Sequence, residues 1–401
     1  MTRLGQLAEE VRSGGRGRTY AIAAGLILLA VIYPEIVEAL EDVPLIGDFV
    51  PGVDSMVVMI VFTMMAVGLN VVVGYAGLLD LGYVAFYAAG AYTAGWLASQ
   101  QFEQVSFSFF SPTHNDEPGI HFSMWLVLII AGVFTTIVGI LIGLPTLRLR
   151  GDYLAIVTLG FGEIVPQFVR NGDSLGGFDL TNGTFGISPI DSLAFGSFVF
   201  RTQSNRAELF YWTAVALLLF TVFCCIRLRD SRLGRAWVAI REDETAAAAM
   251  GVPLMRTKTW SYAIGAFFGG VAGAFYASFK SGAFPADFYF NISVFLLCMV
   301  ILGGMGSIAG VILGGMLLGY LNVEGLSTIG TKLQDGGLDF DPTKYQFGIY
   351  GIIVVVVMLF RPTGLIPERR HQIELAEGVH DTPFYDVQTE GAMTDRDRSN
   401  D

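Results

Sequence analysis

Apolar residues run in long uncharged blocks along most of this chain, at 55–79, 81–102, 122–147, 209–226, 259–279 and 288–323. A helix of ~20 apolar residues crosses a bilayer. Read with the shorter apolar stretches, the pattern predicts ten crossings, at 20–38, 54–73, 81–99, 122–147, 152–169, 208–226, 257–279, 290–303, 307–323 and 345–360. The expected fold is an all-α polytopic membrane protein of about ten transmembrane helices. It divides into an N-terminal segment 1–19, a membrane domain 20–366 and an acidic, disordered tail 367–401. Residues 1–33 imitate a secretory signal, but no small-residue cleavage site follows and nine more spans do. They read as a retained first helix.

Composition supports that reading. Of 401 residues, 53% are hydrophobic and 15% charged, against ~25% charged in soluble domains. Mean hydropathy is +0.57. With both termini cytoplasmic, Lys and Arg divide 18 inside to 6 outside, as the positive-inside rule asks. In this arrangement the cell membrane is the expected location. The net charge of −12 is external, since the outside loops carry 18 acids against 6 bases. Carboxylate-rich surfaces of that kind suit a halophilic setting. A docking face for a basic partner is the other reading.

Several chemistries find no support. No GxxxxGK[ST] motif is present to cradle a nucleotide. Gly304-Met305-Gly306-Ser307-Ile308-Ala309 fits GxGxx[GA], but no βαβ pattern surrounds it. Gly306 and Gly310, Gly310 and Gly314, and Gly265 and Gly269 have the spacing that lets helix backbones approach closely in lipid. Cys224, Cys225 and Cys298 lie inside apolar runs and read as small packing residues. His114, His121, His371 and His380 form no HExxH pair. Neither a metal site nor a catalytic constellation emerges, so enzymatic activity is not expected.

Three features go beyond generic membrane helices. The first is a pair of glycine interruptions, one in each half. One runs through Gly74, Gly77, Asp80, Gly82 and Tyr83, the other through Gly303, Gly304 and Gly306. Paired breaks point to a translocation path; tight packing at a bend is the alternative. The second is the segment holding Tyr153, Thr158, Glu163 and Pro166. An acid within a span faces a bundle interior or water, so Glu163 either lines the path or pairs with another helix, and Asp80 is read the same way. The third is the basic loop 227–258. Asp243 is an expected N-cap, Gly251 a C-terminal cap and Pro253 a stop. Ala246, Ala249 and Met250 make a small apolar face suited to a partner's groove, or else to the membrane interface.

Four blocks carry a resemblance to a known family: Gly77-Leu-Leu-Asp80-Leu-Gly82-Tyr83 continuing to Tyr92; Arg148-Leu-Arg-Gly-Asp152-Tyr153 continuing to Glu163; the loop 234–251; and residues 299–310. With the ending Arg361-Pro-Thr-Gly-Leu-Ile366, the chain resembles the LivM-type permease subunit of branched-chain amino acid ABC importers. The resemblance implies a LivH-type second permease subunit, two cytoplasmic ATPase subunits that use ATP, and an extracellular substrate-binding protein. It implies no cofactor on this chain and no nucleic acid partner. Arg235, Arg241, Glu242, Ala246, Ala247, Ala249 and Gly251 correspond to the loop that contacts the ATPase. Relatives carry urea or short amides, which makes such cargo an alternative; an ion-coupled transporter using Asp80 and Glu163 is another. Asn182 and Phe185 depart from the family's usual TGGxxGI segment, and the tail after 367 has no counterpart.

Overall fold

The computed structural model describes residues 25, 30–40, 47–103, 105–109, 118–149, 151–174, 178–196, 198–337 and 340–366. The segment 1–19, residues 20–24 and 26–29 of the first expected crossing, and the tail 367–401 lie outside the described residues.

Helix α1 covers 30–40. Helix α2 (Val53–Asn70) runs into a π turn (Val71–Tyr75), and α3 is Val84–Leu97. Then come α4 (Met124–Thr146), α5 (Asp152–Arg170) and α6 (Arg206–Arg229). Two short helices, α7 (Arg232–Glu242) and α8 (Glu244–Ala249), precede α9 (Leu254–Lys280). The remainder is α10 (Phe290–Gly303), α11 (Ile308–Tyr320), α12 (Leu326–Asp335) and α13 (Gln346–Phe360). Short strands β1 (Ala98–Ser99), β2 (Ser106–Phe109) and β3 (Gly119–Phe122) form a sheet in the order β1-β3-β2, antiparallel then parallel.

Seven of the described helices are long and apolar enough to cross a membrane. The helix at the expected crossing 81–99 is shorter than the pattern implied, with 14 residues, while that at 290–303 keeps the expected bounds and has the same length. At 1.5 Å per residue that is ~21 Å, against a hydrocarbon thickness of ~30 Å. The difference is taken up by the glycine interruptions, where the chain leaves the helix while staying apolar.

Helices α2 and α9 form the core, apolar all round and buried over most of their length, which fits central helices. Helix α9 packs on α4 and α3, and α2 on α11 and α6. Small residues make the close crossings. A Cβ on Gly90 would lie 2.1 Å from the Gly270 carbonyl oxygen, and one on Gly273 2.1 Å from that of Tyr87. Glycine at these points lets α3 touch α9 backbone to backbone. Helix α13 keeps most of its apolar surface outward, as a lipid-facing helix does.

The bundle has two distinct ends. One carries α7, α8, both glycine interruptions and residues 361–366. The other carries the strands and the polar links His121 Nδ1–Asp191 Oδ2 (2.8 Å), Lys280–Asp287 (2.6 Å) and Lys332–Asp48 (2.9 Å). The glycine interruptions therefore sit toward the end that holds the 227–258 loop.

Candidate functional site

The first interruption begins where α2 widens into its π turn. Gly77 has φ +66°, a conformation in which a Cβ would clash. Buried irregular backbone needs partners within the protein, and here they come from neighbouring helices. The Leu81 N–H donates to Thr158 Oγ1 of α5 at 3.0 Å. The Val84 N–H donates to Ser293 Oγ of α10 at 2.9 Å. Asp80, 1% exposed, accepts from the Gly82 N–H at 2.8 Å and lies beside the Tyr262 and Tyr83 rings. The Tyr83 hydroxyl donates to the Gly265 carbonyl at 2.8 Å, pinning the segment to α9.

The second interruption separates α10 from α11. Gly304 and Gly306 have φ +111° and +89°, and Ser307 Oγ caps α11 by accepting from the Gly310 N–H. Residues 361–366 close over it. The Leu365 and Ile366 N–H groups donate to the Leu302 and Gly303 carbonyls at 3.0 and 3.1 Å. These are among the last carbonyls of α10, which have no donors within the helix.

The two interruptions touch. The Gly306 N–H donates to Asn70 Oδ1 at 2.9 Å, and a Cβ on Gly74 would lie 2.6 Å from the Gly306 nitrogen. Sequence reasoning missed Asn70, whose signal is a lone amide in an apolar run one turn before Gly74.

The loop between α6 and α9 is folded onto this junction. Ser231 caps α7. The buried Trp237 ring stacks 6.5 Å from that of Tyr75, and its Nε1 donates to the Thr257 carbonyl at 2.8 Å. Arg241 Nη1 donates to the Gly74 carbonyl at 2.6 Å. Asp243 forms the expected N-cap of α8, accepting from the Thr245 and Ala246 N–H groups. The Thr245 hydroxyl, and then those N–H groups, hold its carboxyl below the ordinary aspartate value. At the other end Gly251 has φ +85°. The Gly251 and Val252 N–H groups donate to the Ala248 and Ala247 carbonyls, a Schellman cap. Lys258, buried on α9, pairs with Glu244 at 2.9 Å.

The expected site residues thus sort into groups. Gly74, Gly77, Gly306 and Arg241 meet at the junction; Gly303 and Gly304 lie beneath 361–366; Asp80, Tyr83 and Thr158 line the first interruption internally. Tyr153, 71% exposed, and Glu163 sit on the outer face of α5, turned away from Thr158 and Gly162. In the loop, Arg235, Glu242, Ala246, Ala249 and Gly251 face outward while Ala247 is 5% exposed. Met250, 86% exposed, extends the outward face. What this arrangement offers is mechanical linkage between a surface loop and two backbone junctions.

The family described as branched-chain amino acid transport system / permease component matches residues 53–358, which include both interruptions and the loop. The chain belongs to this family. The permease chain is 36% identical to the high-affinity branched-chain amino acid transport system permease protein LivM of Escherichia coli (strain K12). That likeness runs over 373 residues, 88% of this chain and 76% of the relative. A probable LivM of Methanocaldococcus jannaschii is 29% identical over 248 residues, 61% of this chain and 68% of the relative. The permease protein LivH of Escherichia coli (strain K12) is 30% identical over 161 residues, 40% of this chain and 47% of the relative. The permease therefore has relatives of both the LivM and the LivH type. No solved structure matches it.

Proposed function

We propose that this permease chain is one of two membrane subunits of an ABC importer for branched-chain amino acids. A LivH-type subunit supplies the other half of the pathway. Two cytoplasmic ATPases hydrolyse ATP, and an extracellular binding protein delivers the solute. The chain itself binds no cofactor and has no enzymatic activity. It lies in the cell membrane with both termini and the 227–258 loop cytoplasmic, as the distribution of Lys and Arg supports.

The observation that carries the reading is the joining of an outward alanine-rich helix, α8, to the glycine junction through α7 and Arg241. An importer powered by separate ATPases needs such a dock; a secondary transporter does not. Arg235, Glu242, Ala246, Ala249 and Gly251 are the proposed docking residues. Tyr153 and Glu163 are those a second subunit would meet across the path. Asp80 and Glu163, the pair an ion-coupled transporter would use, do not converge: one is enclosed at the first interruption, the other on the outer face of α5.

The test is uptake of labelled leucine, isoleucine and valine into proteoliposomes holding this chain with its LivH-type partner, ATPases and binding protein. Uptake that requires both ATP and the binding protein is expected. Uptake driven by an ion gradient without ATP would overturn the importer; transport of urea but not leucine would overturn the substrate.

A further inference from the structure

The charged residues of the 227–258 loop do not share one orientation. Arg235 and Glu242 face outward, but Arg241 turns into the bundle. Its Nη1 meets the Gly74 carbonyl, and its Cγ lies 2.9 Å from where a Cβ on Gly77 would stand. Gly77 is therefore the surface on which the arginine stem rests. Carbonyls at the end of a helix have no donors within the helix, and the guanidinium, planar and always charged, is well matched to one of them.

The link continues inward. Gly74 is one turn past Asn70, whose side-chain oxygen holds Gly306 across the junction. Among the described residues Asn70 Nδ2 is buried without a hydrogen-bond partner, so the bond from Gly306 is the one that orients that amide. Trp237 ties the same stretch of α7 to Tyr75 on one side and to Thr257 on the other. Helix α7, the π turn and the start of α9 are thus joined at three points, one of which is an ionic hydrogen bond.

We infer that Arg241 is a positioning residue that carries movement of the loop into both glycine interruptions, by way of the Gly74 carbonyl and then of Asn70 to Gly306. This rests on the importer reading above, which supplies the source of the movement. Arg241 is then not part of the ATPase dock but the connection behind it. Losing it should leave ATPase binding and hydrolysis intact while separating them from transport.

The experiment measures leucine uptake per ATP hydrolysed in the reconstituted importer for wild type, Arg241→Gln, Arg241→Lys, Asn70→Leu and the double variant Arg241→Gln/Asn70→Leu. The expected result for Arg241→Gln is retention of the ATPase subunits on co-purification, hydrolysis within about twofold of wild type, and at least a tenfold fall in uptake per ATP. Arg241→Lys, which keeps a charged donor, should recover part of that loss. Asn70→Leu should reproduce it, and the double variant should be no worse than the poorer single, because both lie on one connection. Wild-type uptake per ATP in Arg241→Gln would overturn the inference, as would additive losses in the double variant. Loss of the ATPase subunits from both Arg241 variants would make the residue part of the dock and overturn it too. If Arg241→Gln does not insert, Arg241→Lys and Asn70→Leu carry the same comparison. A wild-type complex with no ATP-dependent leucine uptake overturns the importer reading instead, whatever the variants do.

Discussion

The N–H of Gly306 donates to the side-chain oxygen of Asn70 at 2.9 Å, across 236 positions of sequence. That bond turns two separate interruptions into one junction. Glycine at 74 is needed for closeness: a Cβ there would sit 2.0 Å from Asn70 Oδ1 and 2.6 Å from the Gly306 nitrogen. The junction is consequently sensitive to volume before it is sensitive to charge.

Gly304→Ala should destabilise the protein. The residue has φ +111°, and its new Cβ would lie 2.9 Å from the Thr363 carbonyl oxygen. Backbone strain of this kind costs about 1–3 kcal/mol. The thermal midpoint of the purified permease should fall, whereas Gly348→Ala, where a Cβ meets open space, should leave it unchanged or raise it. Equal midpoints for the two variants would refute the packing argument.

Within α8, neighbouring alanines should behave differently. Ala247 is buried and Ala249 exposed. Ala247→Asp puts a carboxylate into a packed contact, costing about 2 kcal/mol or more, and should reduce the folded yield. Ala249→Asp should fold normally and lose ATPase subunits on co-purification. Fluorescence-detected size exclusion with a pull-down separates the two; the reverse pattern would mean that α8 docks through its other face.

The Lys258–Glu244 pair should show strong coupling. Lys258 is 3% exposed, so Glu244→Gln leaves a buried ammonium without its counter-charge, at a cost of roughly 1–3 kcal/mol. Adding Lys258→Met should return much of that stability, because the charge needing compensation is gone. A double-mutant cycle on the thermal midpoint checks this, and simple additivity of the two changes would contradict it.

The Asp243 cap sets a pH dependence for α8. The carboxyl is held below its ordinary value, first by the Thr245 hydroxyl. Its contribution is therefore present above the unfolded value of ~3.9 and is lost only as pH falls through the lower folded value. Exchange protection of the amides at 245–249, corrected for intrinsic rate, should hold from pH 8 to pH 5. Asp243→Ala should lower it at every pH. Fading of wild-type protection between pH 7 and pH 5 would show that another group governs the helix.

Much of this architecture is legible in one dimension. Uncharged blocks mark the long helices, and Asp243 with Gly251 announces both ends of α8. The shortness of α3 is not legible, because Leu78, Leu79 and Leu81 keep the run apolar before the helix begins. Nor is the direction of Arg241. A cation in a basic loop reads as solvated, and only the fold brings the Gly74 carbonyl within its reach. Thr158 stood out by its position within a span, but its task of accepting from Leu81 depends on α5 crossing the interruption. Partners drawn from distant helices leave little local trace.

The strap at 361–366 has a consequence for how the molecule is made. Leu302 and Gly303 lack the donors that Leu365 and Ile366 supply until the ribosome has finished the last span and the turn after it. Every earlier helix can be threaded into the bilayer with this seam still open. A nascent chain arrested before residue 361 would carry nearly all of the apolar mass and none of the closure. The seam between α10 and the strap therefore closes only after the last span has been made.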